Sequence, residues 1–296
     1  MDYKIVVNTV NEVLKQYDMQ VTLRQIYYRL ISDPYLLFAN TRSNYNYLSK
    51  ILVKAREEGE INESRIIDST RKTIGGDYGF EGMEHFLKYI VRDFLNSPGT
   101  YRRKMWENQD IYPLVWVEKD ALSRVVSIKA NDFSVITAPS RGYSSYSYIK
   151  DIISDLPEGK QIIVLHFGDH DPSGIDMTRD LQDRFNKYAP ELNIEVQRIA
   201  LTIDQVKNYK LAPNPTKLAD PRSRNYVQQF GNKCWELDAI KPDVLQDIVK
   251  NVIQEQIDVG KWNETVRLVE EEKLKLSKKI KKLKPIFEKE LKIRGD

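Results

Sequence analysis

Residues 161–175 read QIIVLHFGDHDPSGI, an apolar run followed by the acidic residues Asp169 and Asp171. A second run of the same kind, IYPLVWV at residues 111–117, is followed by Glu118. Short apolar runs with turn signals at their ends predict strands that are buried on both faces. We therefore expect both runs to be strands of one sheet, with acidic residues at their carboxyl ends.

Between residues 111 and 201 the pattern alternates between strand and helix. Strands are predicted at 111–117, 133–137, 161–167 and 194–201, and helices from near residue 120, over 144–154 and over 174–188. This alternation is typical of an α/β fold with a parallel sheet flanked by helices. Ligands of such sheets collect at the carboxyl ends of the strands.

The N-terminal region predicts a small helical domain. Apolar spacing indicates a helix over 3–17, a second one that begins with the capping box at Thr22, and a third over 42–58 that stops at Gly59. Residues 61–68 are expected to form the strands of a wing, which gives a winged helix. The third helix is expected to present its polar residues to DNA, although a solvated face is the alternative: Arg42, Asn44, Asn46, Lys50 and Lys54.

Length and composition set the domain organisation. The 296 residues are divided into a winged helix at 1–74, a linker and helix at 75–110, an α/β domain at 111–240 and C-terminal helices at 241–296. The glycine-rich GGDYGFEG at 75–82 matches no nucleotide-binding loop. One cysteine and no membrane-spanning run favour the cytoplasm, and three histidines are too few for a zinc centre.

The acidic residues at the strand ends predict a metal site. Asp169 and Asp171 are two apart, so on extended backbone they point the same way, towards Glu118. Three carboxylates that converge repel one another unless a cation neutralises them, and oxygen ligands select Mg²⁺ or Mn²⁺. The alternative is structural: a D-x-D pair often forms a turn or a helix cap.

These motifs resemble a known family. Val117-Glu118-Lys119-Asp120-Ala121 and Gly168–Ile175 are similar to the signature of a Toprim domain, as found in topoisomerase VI A subunits and the related meiotic double-strand-break protein. Trp235–Ala239 resembles a late segment of those chains. Arg24-Gln25-Ile26-Tyr27-Tyr28 resembles the stretch that carries their catalytic tyrosine. The shorter chain is most similar to the small, stand-alone A-type homologues of phages and mobile elements.

The resemblance implies a function. Tyr28 corresponds to the family's nucleophile and Arg24 accompanies it, while Glu118, Asp169 and Asp171 correspond to the Mg²⁺ ligands. The expected enzyme is a type IIB topoisomerase-like isomerase that breaks double-stranded DNA through a 5′-phosphotyrosyl link. A homodimer is expected, in which each tyrosine works with the metal site of the partner subunit. The chain has no ATP site, so strand passage is expected to need a separate ATPase B-type subunit.

Helix geometry gives an independent reason to choose Tyr28. Tyr27 falls in line with Leu23 and Leu30 and is expected in the core, whereas Tyr28 shares a polar edge with Arg24. A guanidinium there can hold a phosphate and favour the phenolate. The alternative is a tyrosine that only packs against Arg24.

Two other functions remain open on the sequence. A Toprim nuclease would use the same acids to hydrolyse DNA with metal-activated water, and Tyr28 would then be structural. A DNA-binding or assembly protein that does not cleave would carry an inactive site. Fold alone does not choose among the three.

Overall fold

The computed structural model describes residues 2–67, 79–140, 142–216 and 220–290. The chain divides into two compact units. The first combines Met1–Lys72 with Asp110–Gln256, and the second combines Thr73–Gln109 with Ile257–Asp296. The N-terminal helices and the sheet therefore belong to one unit. Residues 75–78, the first half of the predicted linker at 75–82, lie outside the described residues.

The described helices and strands have the following bounds. In chain order, the helices are α1 (Tyr3–Lys15), α2 (Leu23–Leu30), α3 (Arg42–Glu57), α4 (Met83–Thr100), α5 (Asp120–Asp132), α6 (Tyr146–Ser154), α7 (Pro172–Tyr188), α8 (Ile203–Asn208), α9 (Ser223–Phe230), α10 (Pro242–Gln254) and α11 (Val259–Glu290). The strands are β1 (Ile111–Val117), β2 (Thr137–Pro139), β3 (Gln161–Phe167), β4 (Asn193–Ala200), β5 (Asn214–Pro215) and β6 (Lys233–Cys234). Short 3-10 helices occupy Glu63–Arg65 and Leu237–Ala239.

The main sheet has the order β2-β1-β3-β4, and its neighbouring strands are parallel. This confirms the predicted α/β class. The strand predicted at 133–137 begins later, at Thr137, because Phe133 closes the end of α5 and Ser134 takes a positive φ of 56°. A separate antiparallel pair joins β5 to β6 and sets Asn214 opposite Cys234.

Helices cover both faces of the sheet. Leu114 and Trp116 of β1 and Val164 of β3 pack with α6 and α7 in one core cluster. Their neighbours, which point to the other face, are equally buried, and α5 packs against both β1 and α10. Burial on both faces explains why the two quoted strands are almost continuously apolar.

The N-terminal helices form a second core. Val6, Ile26, Leu30 and Leu48 are completely buried there. Thr22 caps α2 with the predicted capping box. The wing is not confirmed, since Glu63–Arg65 form a 3-10 helix and Ile66 makes an isolated parallel bridge with Val21. Asp68, the last residue of the predicted wing, lies outside the described residues.

The second unit pairs α4 with α11. The Phe94 and Phe287 rings lie 5.4 Å apart, and Glu272 accepts hydrogen bonds from Tyr101 and Arg103. The predicted C-terminal helix is present and continues through Pro285. Within the four described ranges, no helix combines the length and the apolar character needed to cross a bilayer.

Replacement of Thr22 by alanine tests the start of α2. Thr22→Ala removes the acceptor for the Gln25 amide and should lower the free energy of unfolding by about 1 kcal/mol. Urea denaturation measures the change. Ser43→Ala, at an exposed position in the first turn of α3, should stay within about 0.5 kcal/mol of the parent. Equal losses in both variants would show that the capping box does not stabilise the unit.

Candidate functional site

The register of the sheet brings Glu118 and Asp169 together. Val117 pairs with Phe167, so strands β1 and β3 end at the same level of the sheet. The Asp169 amide donates to Glu118 Oε2 at 2.8 Å. Gly168 allows this approach, because a Cβ there would lie only 2.8 Å from the same oxygen. The meeting of these two acids is thus fixed by backbone as well as side chains.

Asp171 lies at the same edge and caps α7. Its Oδ1 accepts from the Gly174 amide at 2.7 Å and from the Ser173 hydroxyl at 3.0 Å. A Cβ at Gly174 would lie 2.2 Å from the Asp169 carbonyl oxygen, so this turn requires glycine. The structural alternative for Asp171, a helix cap, is therefore present. Its second carboxylate oxygen accepts no hydrogen bond from the described residues.

The segment 236–238 completes the site from a distant part of the chain. The Leu237 amide donates to Asp169 Oδ1 at 2.8 Å. On either side of it, Glu236 and Asp238 hold the Lys119 ammonium at 3.0 and 2.8 Å. The same ammonium lies 2.9 Å from Asp169 Oδ2. Lys119 therefore links three carboxylates.

Helix α2 is tied to the same segment. The Arg24 guanidinium forms an ion pair with Glu236 and lies 3.8 Å from Asp238. One turn later, the Tyr28 oxygen accepts a hydrogen bond of 3.0 Å from the Asn214 side chain. Arg24 and Tyr28, which were predicted together, thus face the sheet edge of their own chain, whereas the resemblance implies that the tyrosine acts with the metal site of a partner subunit.

Tyr27 and Tyr28 are equally buried, each 3% exposed, but their surroundings differ. Tyr27 donates to the carbonyls of Ala39 and Thr41 and lies in the core, as predicted. Tyr28 faces charged groups. Burial raises the pKa of Tyr28, Glu236 raises it further, and Asn214 and Arg24 oppose the rise.

The site carries an excess of negative charge. Among the described residues, the cations are fewer than the carboxylates and leave a net charge of −2: Arg24, Lys119 and Arg198 against Glu118, Asp169, Asp171, Glu236 and Asp238. Burial and Asp169 raise the pKa of Glu118 to about 7, and burial raises the pKa of Asp169 to about 6. Asp238 Oδ1 is buried without a hydrogen-bond partner in the described chain.

These residues fit a divalent cation. One such ion, or two protons, would offset the excess charge, and the donors are carboxylate oxygens, which Mg²⁺ prefers. Among the described residues, no three or more acidic, histidine or cysteine side chains are already arranged so that they could hold a metal ion. Mg²⁺ commonly takes one or two carboxylates and fills its remaining positions with water and phosphate oxygens. Both oxygens of Asp169 are already bonded, whereas Glu118 and Asp171 each have one oxygen that accepts no hydrogen bond from the described residues, so these two would hold the ion.

The predicted DNA-contacting residues of α3 divide into two groups. Arg42, Asn46, Lys50 and Lys54 are exposed and follow one another at intervals of four, so they share one helix face. Asn44 is half-buried, and its side chain donates to the Ala39 carbonyl at 2.8 Å instead of pointing outward.

A cavity of about 480 Å³ connects this helix face to the candidate metal site. It is lined by Arg42 of α3, by Asp171 and by Asn214, the partner of Tyr28. Trp235 and Glu236 also border it. The cavity therefore joins one basic residue of α3 to Asp171 and to the hydrogen-bond partner of Tyr28.

The two histidines of the sheet edge are structural. His166 bonds Thr178 and His170 bonds Tyr226, each at 2.8 Å. Burial lowers the pKa of His166 to about 3 and that of His170 to about 4. Both rings are therefore neutral near pH 7.

Sequence reasoning missed several residues of the site. Lys119, Glu236 and Asp238 were visible in the quoted motifs but were given no role. Asn214 carried no signal, because it lies in a two-residue strand without a motif.

No protein-family model matches this chain, and no curated protein matches it.

The raised pKa values predict how stability depends on pH. Glu118 and Asp169 bind protons more tightly in the folded than in the unfolded chain, so their protonation stabilises the fold at low pH. In chelator, that contribution should be lost as the pH rises through about 6 to 7, a decrease on the order of 1–3 kcal/mol. Urea denaturation between pH 5 and 8 (on the order of one unit per step) measures it.

Mg²⁺ and a substitution provide the control. Mg²⁺ should stabilise the protein more at the alkaline end than at the acidic end, because it replaces the lost protons. Glu118→Gln should flatten the pH dependence in chelator and weaken the effect of Mg²⁺. Stability that rises with pH in chelator, or an equal effect of Mg²⁺ on Glu118→Gln, would contradict the charge balance described above.

Proposed function

We propose that this protein cleaves double-stranded DNA by tyrosine transesterification, in the manner of a topoisomerase VI A subunit. In this proposal, the N-terminal helices are a winged-helix domain and the α/β domain is a Toprim domain. Tyr28 is the nucleophile, Arg24 assists it, and Glu118, Asp169 and Asp171 form the Mg²⁺ site. Mn²⁺ is the alternative ion.

One observation carries the proposal: Arg24, one helical turn before Tyr28, and the acids, which are far apart from it in the sequence, are joined by one ionic network. Glu236 bonds both Arg24 and Lys119, and Lys119 bonds Asp169. The helix that carries Tyr28 is thereby tied to the acidic sheet edge. The charge excess and the carboxylate donors support the metal site.

The chemistry is an exchange of one phosphodiester for another. The Tyr28 oxygen forms a bond to phosphorus and gives up its proton, while the bond to the 3′ oxygen breaks and that oxygen takes up a proton. The products are a 5′-phosphotyrosyl link and a 3′ hydroxyl, so no bond energy is lost to water. When bound, Mg²⁺ supplies stabilisation of the negative charge that develops on the phosphate and leaving oxygens.

The protein's own groups have separate tasks. The Arg24 side chain is 45% exposed, so the N–H groups that its ion pair with Glu236 does not use can hold a phosphate beside Tyr28. Since Tyr28 is 3% exposed, DNA must also open the contact around its oxygen. We expect Arg42 and the face of α3 to bind the neighbouring backbone phosphates, which positions DNA without reading its sequence.

The partners follow the same pattern. We propose a cytoplasmic homodimer, in which each subunit cleaves one strand of the duplex. Strand passage would require a separate ATPase subunit of B type. The enzyme is therefore an isomerase-like strand-breaking protein that, alone, is not expected to relax supercoiled DNA.

A cleavage assay with matched tyrosine variants tests the nucleophile. Supercoiled and linear duplexes are incubated with Mg²⁺, and denaturing detergent traps covalent adducts. Tyr28→Phe should abolish the adduct, because only the phenolic oxygen is removed. Tyr27→Phe, an equally buried neighbour, should retain it. Glu118→Gln and Asp169→Ala should both reduce cleavage.

The other outcomes identify the rival functions. Mg²⁺-dependent cleavage that persists in Tyr28→Phe without an adduct would indicate hydrolysis by a Toprim nuclease. DNA binding without cleavage by any variant, and unaffected by chelator, would indicate a protein that only binds DNA. Either result would overturn transesterification.

Binding at several salt concentrations tests the face of α3. The double change Arg42→Ala with Lys50→Ala should weaken duplex binding for all sequences and lower the salt slope by about 2, since each phosphate contact releases about one counterion. Lys4→Ala, an exposed lysine of α1, should leave the slope unchanged. A salt slope in the double variant equal to that of the parent would show that DNA binds to another surface of the protein.

A further inference from the structure

The hydrogen bond to Tyr28 begins a short chain of amides. Asn214 Nδ2 donates to the Tyr28 oxygen at 3.0 Å. Asn40 Nδ2 in turn donates to Asn214 Oδ1 at 2.9 Å and to the Pro213 carbonyl at 3.0 Å. Two segments that flank the tyrosine, one before α3 and one in β5, thus meet at its oxygen.

This series of hydrogen bonds fixes which way each side-chain amide faces. The Pro213 carbonyl can only accept, so the Asn40 group that faces it must be the NH₂. The neighbouring Asn214 atom must then be the oxygen, which leaves the NH₂ of Asn214 towards Tyr28. A rotated Asn214 amide would set two NH₂ groups against each other. The Tyr28 oxygen is therefore an acceptor in this bond.

An accepted hydrogen bond has a chemical consequence for a phenol. A donor to the phenolic oxygen stabilises the phenolate more than the neutral phenol. Among the described residues, no group accepts the proton of Tyr28 itself. The oxygen is thus bonded in the manner that suits its charged, nucleophilic form.

We infer that Asn214 is a catalytic residue that donates a hydrogen bond to the attacking oxygen of Tyr28, and that Asn40 is the positioning residue that orients it. This inference rests on the proposed function, because it gives the donor a role only if Tyr28 attacks DNA. The same bond would hold the oxygen in place as charge develops on it.

The other charges around Tyr28 do not replace this donor. Burial and Glu236 raise the pKa of Tyr28. The hydrogen bond from Asn214 lowers the pKa most, and Arg24 and Lys119 lower it less. Arg24 and Lys119 are engaged with Glu236. Asn214 is the side chain that bonds the oxygen directly in the described part of the chain.

The test measures the acidity of residue 28 separately from cleavage. Trifluorotyrosine, whose phenol is much more acidic than that of tyrosine, is placed at position 28 of the full chain and titrated by ¹⁹F NMR. Asn214→Leu, which keeps the volume but removes the donor, should raise its pKa by about 1 unit. Asn40→Ala should raise it less, because the Asn214 amide is then free to rotate.

The same substitutions are then made in the protein that has the natural tyrosine at position 28. They should lower the rate of cleavage about 10-fold at neutral pH and leave the Kd for DNA unchanged. Asn225→Leu, an exposed asparagine of α9, is the matched control and should change neither quantity. Asn214→Asp, which keeps the shape but adds a charge, should raise the pKa further and also slow cleavage. Asn40→Ala and Asn214→Asp decide the matter if Asn214→Leu does not fold.

An unchanged titration in the folded Asn214 and Asn40 variants would overturn the inference, as would a raised pKa with parental cleavage. A failure of the proposed function looks different. In that case Tyr28→Phe retains cleavage, while the titration still responds to Asn214.

Discussion

Negative charge that is buried at the carboxyl edge of β1 and β3 is the constraint on which the site depends. Carboxylates withdrawn from water are costly unless they are paired, protonated or bound to a cation. Lys119 and the Leu237 amide satisfy Asp169, and the Asp169 amide satisfies one oxygen of Glu118. The remaining excess makes this edge suited to a divalent ion, and hence to phosphate.

The same constraint explains why the N-terminal helices and the sheet form one unit. Segment 236–238 supplies carboxylates to two cations, Lys119 from the sheet and Arg24 from α2. Loss of Lys119 would leave the buried Asp169 carboxylate without its ion-pair partner. Helix α2, which carries Tyr28, is therefore held beside the acidic edge by the ion pairs of Arg24, and Asn214 of β5 adds a directed contact at the Tyr28 oxygen.

Much of the sheet domain could be predicted from the sequence, because strands buried on both faces carry a strong apolar signal. The bounds of β1 and β3 were predicted correctly, and the acids follow them as expected. Ser134 shows what the sequence does not reveal. Its positive φ moves the start of β2 beyond the predicted position, and serine is not a residue type that indicates this conformation. The wing predicted at 61–68 is not confirmed, since Glu63–Arg65 form a 3-10 helix and Ile66 makes an isolated bridge with Val21. Contacts between distant loops, such as Asn40 with Asn214, have no periodicity to reveal them.

The central claim is that the acid edge binds a divalent cation, and anomalous diffraction from crystals grown with Mn²⁺ tests it most directly. The account predicts a manganese peak in contact with Glu118 and Asp171, next to Asp169, that disappears in Glu118→Gln. A fully occupied peak elsewhere with none at this edge, or a peak that is unchanged in Glu118→Gln, would contradict it.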